Sequence, residues 1–425
     1  MPLTPFQAYV WEHRNDDPYR LALSAQKQLL ALAATPESDT SAAFLAAQVK
    51  ALQKIRTKIP AWYCPGLTFP LAVSIEQASS ERTARFKAGL LSGQKIADLS
   101  GGLGVDSFFF AQRFDSLVYV EENEVLVAAA RHNFAHLGVQ NVQIEHGSAE
   151  YFLSQTKENF DLIYLDPARR DGQGGRVFRL EDCSPDVLKI KPLLLQKATR
   201  VLLKTAPMLD LRLAVKQLGQ VSKIWVVASE GECREVLYLI EQTAPPLEQI
   251  PINAVSLHAP NRTDTLRNER TDLDAPIESD VREFGFTWAE EQEAHPELSE
   301  PRQFLYEPNP AILKAGAFRC FANRFGLAKL HPNTHLYTAS EHVAPVPARS
   351  FSIERVCKYD RKAVQAAIPE GKANIACRNF PDTPEQVRRK LGLADGGETY
   401  LFAVTDVLGN RSVLVCRSVG TTHTS

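Results

Sequence analysis

The stretch DLSGGLGVD at residues 98–106 constrains this chain more than any other. It closes an apolar run, KIADLS (95–100), that reads as a β-strand, and it opens VDSFFFAQRF, which reads as a helix. Glycines at a strand-to-helix turn let the backbone approach a ligand closely, and the first helical turn offers unpaired N–H donors. Gly102 and Gly104 form a G-x-G pair, with Ser107 where a dinucleotide fingerprint has its third glycine. Glu121 ends the next apolar run, 17 residues beyond Gly104. A carboxylate there accepts two hydrogen bonds from a ribose diol.

The surrounding pattern supplies the frame. Strands are predicted at SLVYVE (116–121), NVQIEHG (141–147), FDLIYLD (160–166), RVLLKT (200–205), KIWVVAS (223–229) and REVLYLIE (234–241). Helical stretches lie between them: NEVLVAAARHNFAHLG, SPDVLKIKPLLLQKA and LDLRLAVKQLG. Alternating strands and helices predict a doubly wound, mostly parallel α/β sheet. Only EGEC (230–233) separates the last two strands, so a hairpin with an antiparallel final strand is expected.

A glycine loop followed by an acid suits either a nicotinamide dinucleotide or S-adenosylmethionine. Three features favour the second. Asp98 precedes the glycines and suits a cationic amino-acid group better than a pyrophosphate. HGSAE (146–150) follows the third strand, where an adenine-contacting loop lies. DPARR (166–170) ends the fourth strand, at the sheet face where ligands sit. The order of acid, glycine loop, acid, adenine loop, Asp-Pro and terminal hairpin is that of a Rossmann-like, seven-stranded class I methyltransferase.

The segments IEQASSERTARFKAGLLSG, DLSGGLGVDS, YVEEN, LDPARRD, LLKTAPMLDL and EGECREVLY resemble a family of bacterial class I methyltransferases that carry a C-terminal THUMP-like domain. ANIACRNFP, VRRKLGL and GGETYLFAVT resemble that terminal module, and the segment before it resembles a ferredoxin-like piece. The resemblance covers essentially the whole chain. It implies S-adenosylmethionine as cofactor and, because THUMP domains imply RNA binding, RNA as substrate. By motif position Asp98, Ser100, Gly102 and Gly104 would line the methionine part of the cofactor. Glu121 would hold the ribose, Ser148 and Ala149 would flank the adenine, and Asp166 would face the transferred methyl. Ser148 stands where an Asp is more usual. Gln77 lies where related enzymes close the cofactor pocket.

The acceptor side departs from known patterns. Amino-group methylases carry Asn/Asp-Pro-Pro-aromatic, whereas this chain has D-P-A-R. Carbon-5 pyrimidine methylation needs a Cys after the fifth strand, and that place holds Lys204-Thr-Ala-Pro-Met. Asp166, which the resemblance places at the methyl, and Lys204, which follows an apolar strand at the same sheet face, are the candidate catalytic residues. Arg169 and Arg170 could hold phosphates in bidentate fashion. Arg378, Arg388, Arg389, Lys390 and Phe380 supply the basic and stacking groups that RNA recognition uses. Two other classes stay open on sequence: an RNA-binding protein that keeps the cofactor fold without catalysis, and a methyltransferase of small molecules or proteins.

Composition sets the outer bounds. The 425 residues are 44% apolar and 23% charged, which excludes global disorder. No apolar run approaches the ~20 residues of a membrane span. The N-terminus has no basic run followed by an apolar one, so no secretory leader is expected. Seven Cys without a C-x-x-C pair point to reduced thiols in the cytoplasm and to no structural metal. His132 and His136 are spaced i, i+4 but lack a third ligand. From residue 311 onward, 16 Lys and Arg face 9 Asp and Glu, whereas the remainder has 32 against 41. A basic C-terminal third on an acidic body fits an anionic partner. The expected organisation is a helical domain at 1–75, the methyltransferase domain at 76–245, an irregular linker at 246–280, a ferredoxin-like segment at 281–326 and a THUMP-like domain at 327–420.

Overall fold

The structure is a computed structural model that describes residues 2–25, 28–29, 41–70, 75–169, 180–258 and 281–419. The chain divides into two compact units. The first is Met1–Ser222 together with Val236–Ala244; the second is Lys223–Glu235 with, among the described residues, 245–258 and 281–419.

Helices open the first unit. Helix α1 (Pro5–Glu12) starts on a capping box between Thr4 and Gln7, and α2 (Pro18–Ser24) is capped by Asp17. Helix α3 (Ala42–Lys58) buries Leu45, Val49, Leu52 and Ile55. One 3-10 turn follows at Pro60–Trp62 and buries the Trp62 ring. Helix α4 (Glu81–Leu90) then leads into the sheet.

The main sheet contains β1 (Gly93–Asp98), β2 (Phe114–Glu121), β3 (Val142–His146), β4 (Leu162–Leu165), β5 (Arg200–Thr205), β6 (Val221–Ser229) and β7 (Glu232–Glu241). Two more strands, β8 (Ile252–Leu257) and β9 (Val281–Phe286), bring it to nine. The order is β9-β8-β6-β7-β5-β4-β1-β2-β3. Strands β3, β2, β1, β4 and β5 run parallel, and β7 runs antiparallel to β5, as a hairpin requires. Helices α5 (Val105–Phe110), α6 (Glu124–His136), α7 (Ala149–Gln155), α8 (Val187–Lys197) and α9 (Leu211–Leu218) connect the strands. This is the class I methyltransferase arrangement.

Two expectations need correction. The sheet has nine strands where seven were expected, because β8 arises within the stretch read as an irregular linker and β9 at the start of the stretch read as ferredoxin-like. INAVSL is short, flanked by Pro251 and Pro260, and buried at five of its six positions, so it lacks the alternation that marks a half-exposed strand. Helix α7 also forms inside the stretch read as an adenine loop, with Ser148 as its N-cap.

The second unit holds a seven-stranded sheet of β10 (Phe304–Pro308), β11 (Ala328–His331), β12 (Thr334–Ala339), β13 (Ala348–Lys358), β14 (Asn374–Arg378), β15 (Thr399–Thr405) and β16 (Arg411–Ser418). Its order is β11-β12-β10-β13-β16-β15-β14. β15 and β16 form an antiparallel hairpin around Gly409-Asn410. Helix α10 is Trp288–Glu293, α11 is Pro310–Ala315 and α12 is Phe318–Phe325. Helices α13 (Arg361–Ala367) and α14 (Pro384–Leu391) contribute Val364, Val387 and Leu391 to a core shared with Leu401 and Val413. Thr383 caps α14 in a capping box with Gln386, and Pro384 takes the first helical position.

Candidate active site

Strands β1, β2, β4 and β5 end side by side, and the loops leaving them carry the polar side chains. A cavity of about 350 Å³ lies there, within the usual size of small-molecule sites. Its lining brings together Gln77, Asp98, Ser100, Gly102, Gly104, Glu121, Ser148, Ala149 and Asp166.

The glycine loop is shaped by packing from below. A Cβ at Gly101 would lie 2.2 Å from the Tyr119 ring, and one at Gly104 would lie 2.6 Å from the Phe134 ring. Gly104 also has a φ of +83°, which L side chains rarely adopt. Tyr119 completes the support by donating to the Gly102 carbonyl at 2.6 Å.

Glu121 takes one backbone N–H on each oxygen, from Gly102 at 2.9 Å and from Asn123 at 2.9 Å. Each oxygen keeps a second acceptor site, which suits a ribose diol. Asp98 is almost fully buried. Its Oδ1 accepts from the Ser100 N–H at 3.0 Å and hydroxyl at 3.3 Å, and its Oδ2 accepts from Ser107 at 2.6 Å. Burial pushes its carboxyl up to about 7, against the lowering effect of the Ser107 and Ser100 hydrogen bonds.

Asp166 and Lys204 stand at the ends of adjacent parallel strands and pair at 2.5 Å. The Asp166 N–H donates to the Ser100 hydroxyl at 2.6 Å, which ties the end of β4 to the glycine loop. Ser148 uses its hydroxyl to accept from the Tyr151 N–H at 3.1 Å. Its side chain is therefore committed to the helix start, and Ala149 behind it is buried.

Other candidates lie elsewhere. The side chain of Arg169 and all of Arg170 fall outside the described residues. Arg378 pairs with the buried Glu307, which also pairs with Arg349, and Arg388 pairs with Asp395. Arg389 is exposed on α14. Phe380 packs edge-on against Tyr359, and Lys390 lies over that same ring. His132 faces the Gly66 carbonyl at 2.7 Å. Among the described residues, no group of three or more His, Cys, Asp or Glu is placed to hold a metal ion. No helix among them is long and apolar enough to cross a membrane.

Sequence reasoning missed the group beneath the cavity wall. Ser79 is not the helix cap; Ser80 is, accepting from Thr83. Ser79 instead donates to Asp106 Oδ2 at 2.9 Å and accepts from Lys87 at 3.0 Å. Tyr164 donates to the same Asp106 oxygen at 2.8 Å, and Lys87 lies 3.3 Å from Oδ1. The available signal was Lys87 itself, a charge on the face of α4 that otherwise buries Thr83, Ala84 and Ala88.

The donor set fits S-adenosylmethionine. The cavity offers spare carboxylate acceptors for a diol, acidic groups for a cationic end, and a backbone loop stripped of side chains. Comparison with known proteins agrees. A ferredoxin-like domain model matches residues 304–347, and a THUMP domain-like model matches residues 348–418. The crystal structure of a candidate methyltransferase from Porphyromonas gingivalis W83 is 31% identical, covers 98% of both chains and superposes with a TM-score of 0.82. An uncharacterized S-adenosylmethionine-dependent methyltransferase of Mycobacterium tuberculosis is 26% identical over 352 residues, 81% of this chain and 87% of that protein. The 23S rRNA (uracil(1939)-C(5))-methyltransferase RlmD of Pectobacterium atrosepticum is 28% identical over 141 residues, 31% of each chain. With a likeness that runs the length of the P. gingivalis protein and a cavity built for this cofactor, the chain belongs to the bacterial class I S-adenosylmethionine-dependent methyltransferases that carry a C-terminal ferredoxin-like and THUMP-like region.

Proposed function

We propose that this methyltransferase acts on RNA and that Asp166 with Lys204 holds the methyl acceptor. The observation that carries the site assignment is the ion pair itself. It stands at the end of β4, where the cavity lining passes from Ser100 to Asp166. S-adenosylmethionine supplies an already activated methyl group, so the protein's task is alignment and proton management. Asp166 accepts a hydrogen bond from the acceptor's N–H or O–H, and Lys204 fixes the direction of that carboxylate. The Ser100 hydroxyl sets the backbone of Asp166 relative to the glycine loop. Gln77 and Ser79 line the same cavity.

The THUMP-like match at residues 348–418 supports RNA as the substrate class, and so does the partial likeness to RlmD. RlmD's named carbon-5 chemistry does not transfer with that likeness. Such chemistry needs a thiolate, and Cys183 near the cavity is fully buried. Burial pushes the Cys233 thiol up to about 12. A nitrogen or oxygen acceptor suits the Asp166–Lys204 pair better. Arg389 on α14 is the candidate RNA contact, since Arg378, Arg388 and Lys390 already pair with carboxylates. No disulfide joins any of the seven cysteines, which fits a reducing cytoplasm. The test is transfer of labelled methyl from S-adenosylmethionine to bulk RNA. Label in RNA supports the reading, and label confined to protein or small molecules contradicts it.

A further inference from the structure

The cavity has two chemically different ends. Glu121, Gly147 and Ala149 lie at one, where a ribose and base would sit; Ser79, Asp106 and Asp166 lie at the other. Two buried acids serve this second end, and they differ. Asp98 is 1% exposed, and both its oxygens accept from serines of its own loop and helix. The Asp106 side chain keeps 11% of its surface open. Its Oδ2 accepts from Ser79 and Tyr164, whereas its Oδ1 is buried, accepts no hydrogen bond among the described residues and lies 3.3 Å from the Lys87 ammonium.

We propose that Asp106, working with the Ser79 hydroxyl it orients, is the positioning group for the cofactor's α-amino group, a role the sequence motif alone gives to Asp98. The inference rests on S-adenosylmethionine as the cofactor. Charge supports the assignment. Burial alone would raise the Asp106 carboxyl, but Lys87 and then Lys204, with the Tyr164 and Ser79 hydrogen bonds, outweigh it and hold the group below its ordinary value. Asp106 therefore stays anionic at neutral pH, whereas Asp98 is poised near half-ionisation. The network also spans three elements that shape this end: the segment before α4, the glycine-loop helix α5 and strand β4.

The test uses calorimetric titration of the full chain with S-adenosylmethionine, S-adenosylhomocysteine and 5′-methylthioadenosine. The last keeps the nucleoside and lacks the amino-acid group. Asp106→Asn is expected to weaken binding of the first two by about 10-fold or more, as for a lost charged hydrogen bond, and to leave the third unchanged. Ser79→Ala, which keeps the Lys87–Asp106 pair, is expected to show the same selectivity with a smaller loss. Equal losses for all three ligands would make the network merely structural and overturn the proposal. Unchanged binding in both variants would do the same. A loss confined to S-adenosylmethionine would place Asp106 against the sulfonium and overturn the assignment to the amino group. Wild-type protein that binds none of the three would overturn the cofactor reading, and this inference with it.

Discussion

Asp166 illustrates how one side chain carries a functional claim. Asp166 lines the cavity and is held by Lys204, so removing its carboxylate takes away the proposed partner of the acceptor while leaving the glycine loop in place. Asp166→Ala is expected to lower the methyl-transfer rate by about 10²–10⁴-fold, with cofactor affinity changed only a few-fold, read by single-turnover transfer and calorimetry. Asp98 predicts a pH effect. Its ordinary value is 3.8, and burial raises it to about 7 in the fold. The folded state then binds more protons than the unfolded state between those values. This group's contribution to stability therefore falls as pH rises from 3.8 to about 7 and is lost above that. Asp106 adds to the effect, and the Ser107 and Ser100 hydrogen bonds oppose it. Asp98→Asn removes this dependence, so the cofactor-free variant should gain thermal stability relative to wild type between pH 5 and pH 8. A constant difference across that range would contradict the burial argument.

Among the elements, the glycine loop shows why sequence located the site but not its supports. Glycines after a strand announce a close backbone approach. That Gly101 exists to clear the Tyr119 ring, and Gly104 to clear Phe134, depends on residues 18 and 30 positions away. A substitution at either glycine therefore perturbs packing and ligand together. Gly101→Ala is expected to cost about 1–3 kcal/mol of stability, measured by denaturant unfolding without cofactor, because the ring must shift. Ser80→Ala should cost about 1 kcal/mol through loss of the α4 cap. Ser79→Ala should leave that cap intact. The two serines are adjacent and chemically identical, so only the helix register separates their roles. Strand β8 escaped for a related reason. A six-residue strand flanked by prolines and buried between neighbours has no period of its own to read.

The strand–helix alternation, the terminal hairpin and the basic C-terminal third were legible because each repeats a local pattern over many residues. The Lys87–Asp106–Tyr164 group was not, because its members come from three elements that meet only in the fold. Arg378 and Arg388 show the converse: counted as free positive charge in the sequence, they are paired with Glu307 and Asp395 in the structure. If the second unit docks RNA, affinity should fall with salt. Arg389→Glu should flatten that dependence by about one unit of slope and leave S-adenosylmethionine binding unchanged. The most direct measurement for the whole account is transfer of tritiated methyl from S-adenosylmethionine to a total RNA pool, run with wild type and with Asp166→Ala. The account predicts label in RNA with wild type and none above background with the variant, although both proteins bind the cofactor. Equal labelling by both, or label only in non-RNA acceptors, would contradict it.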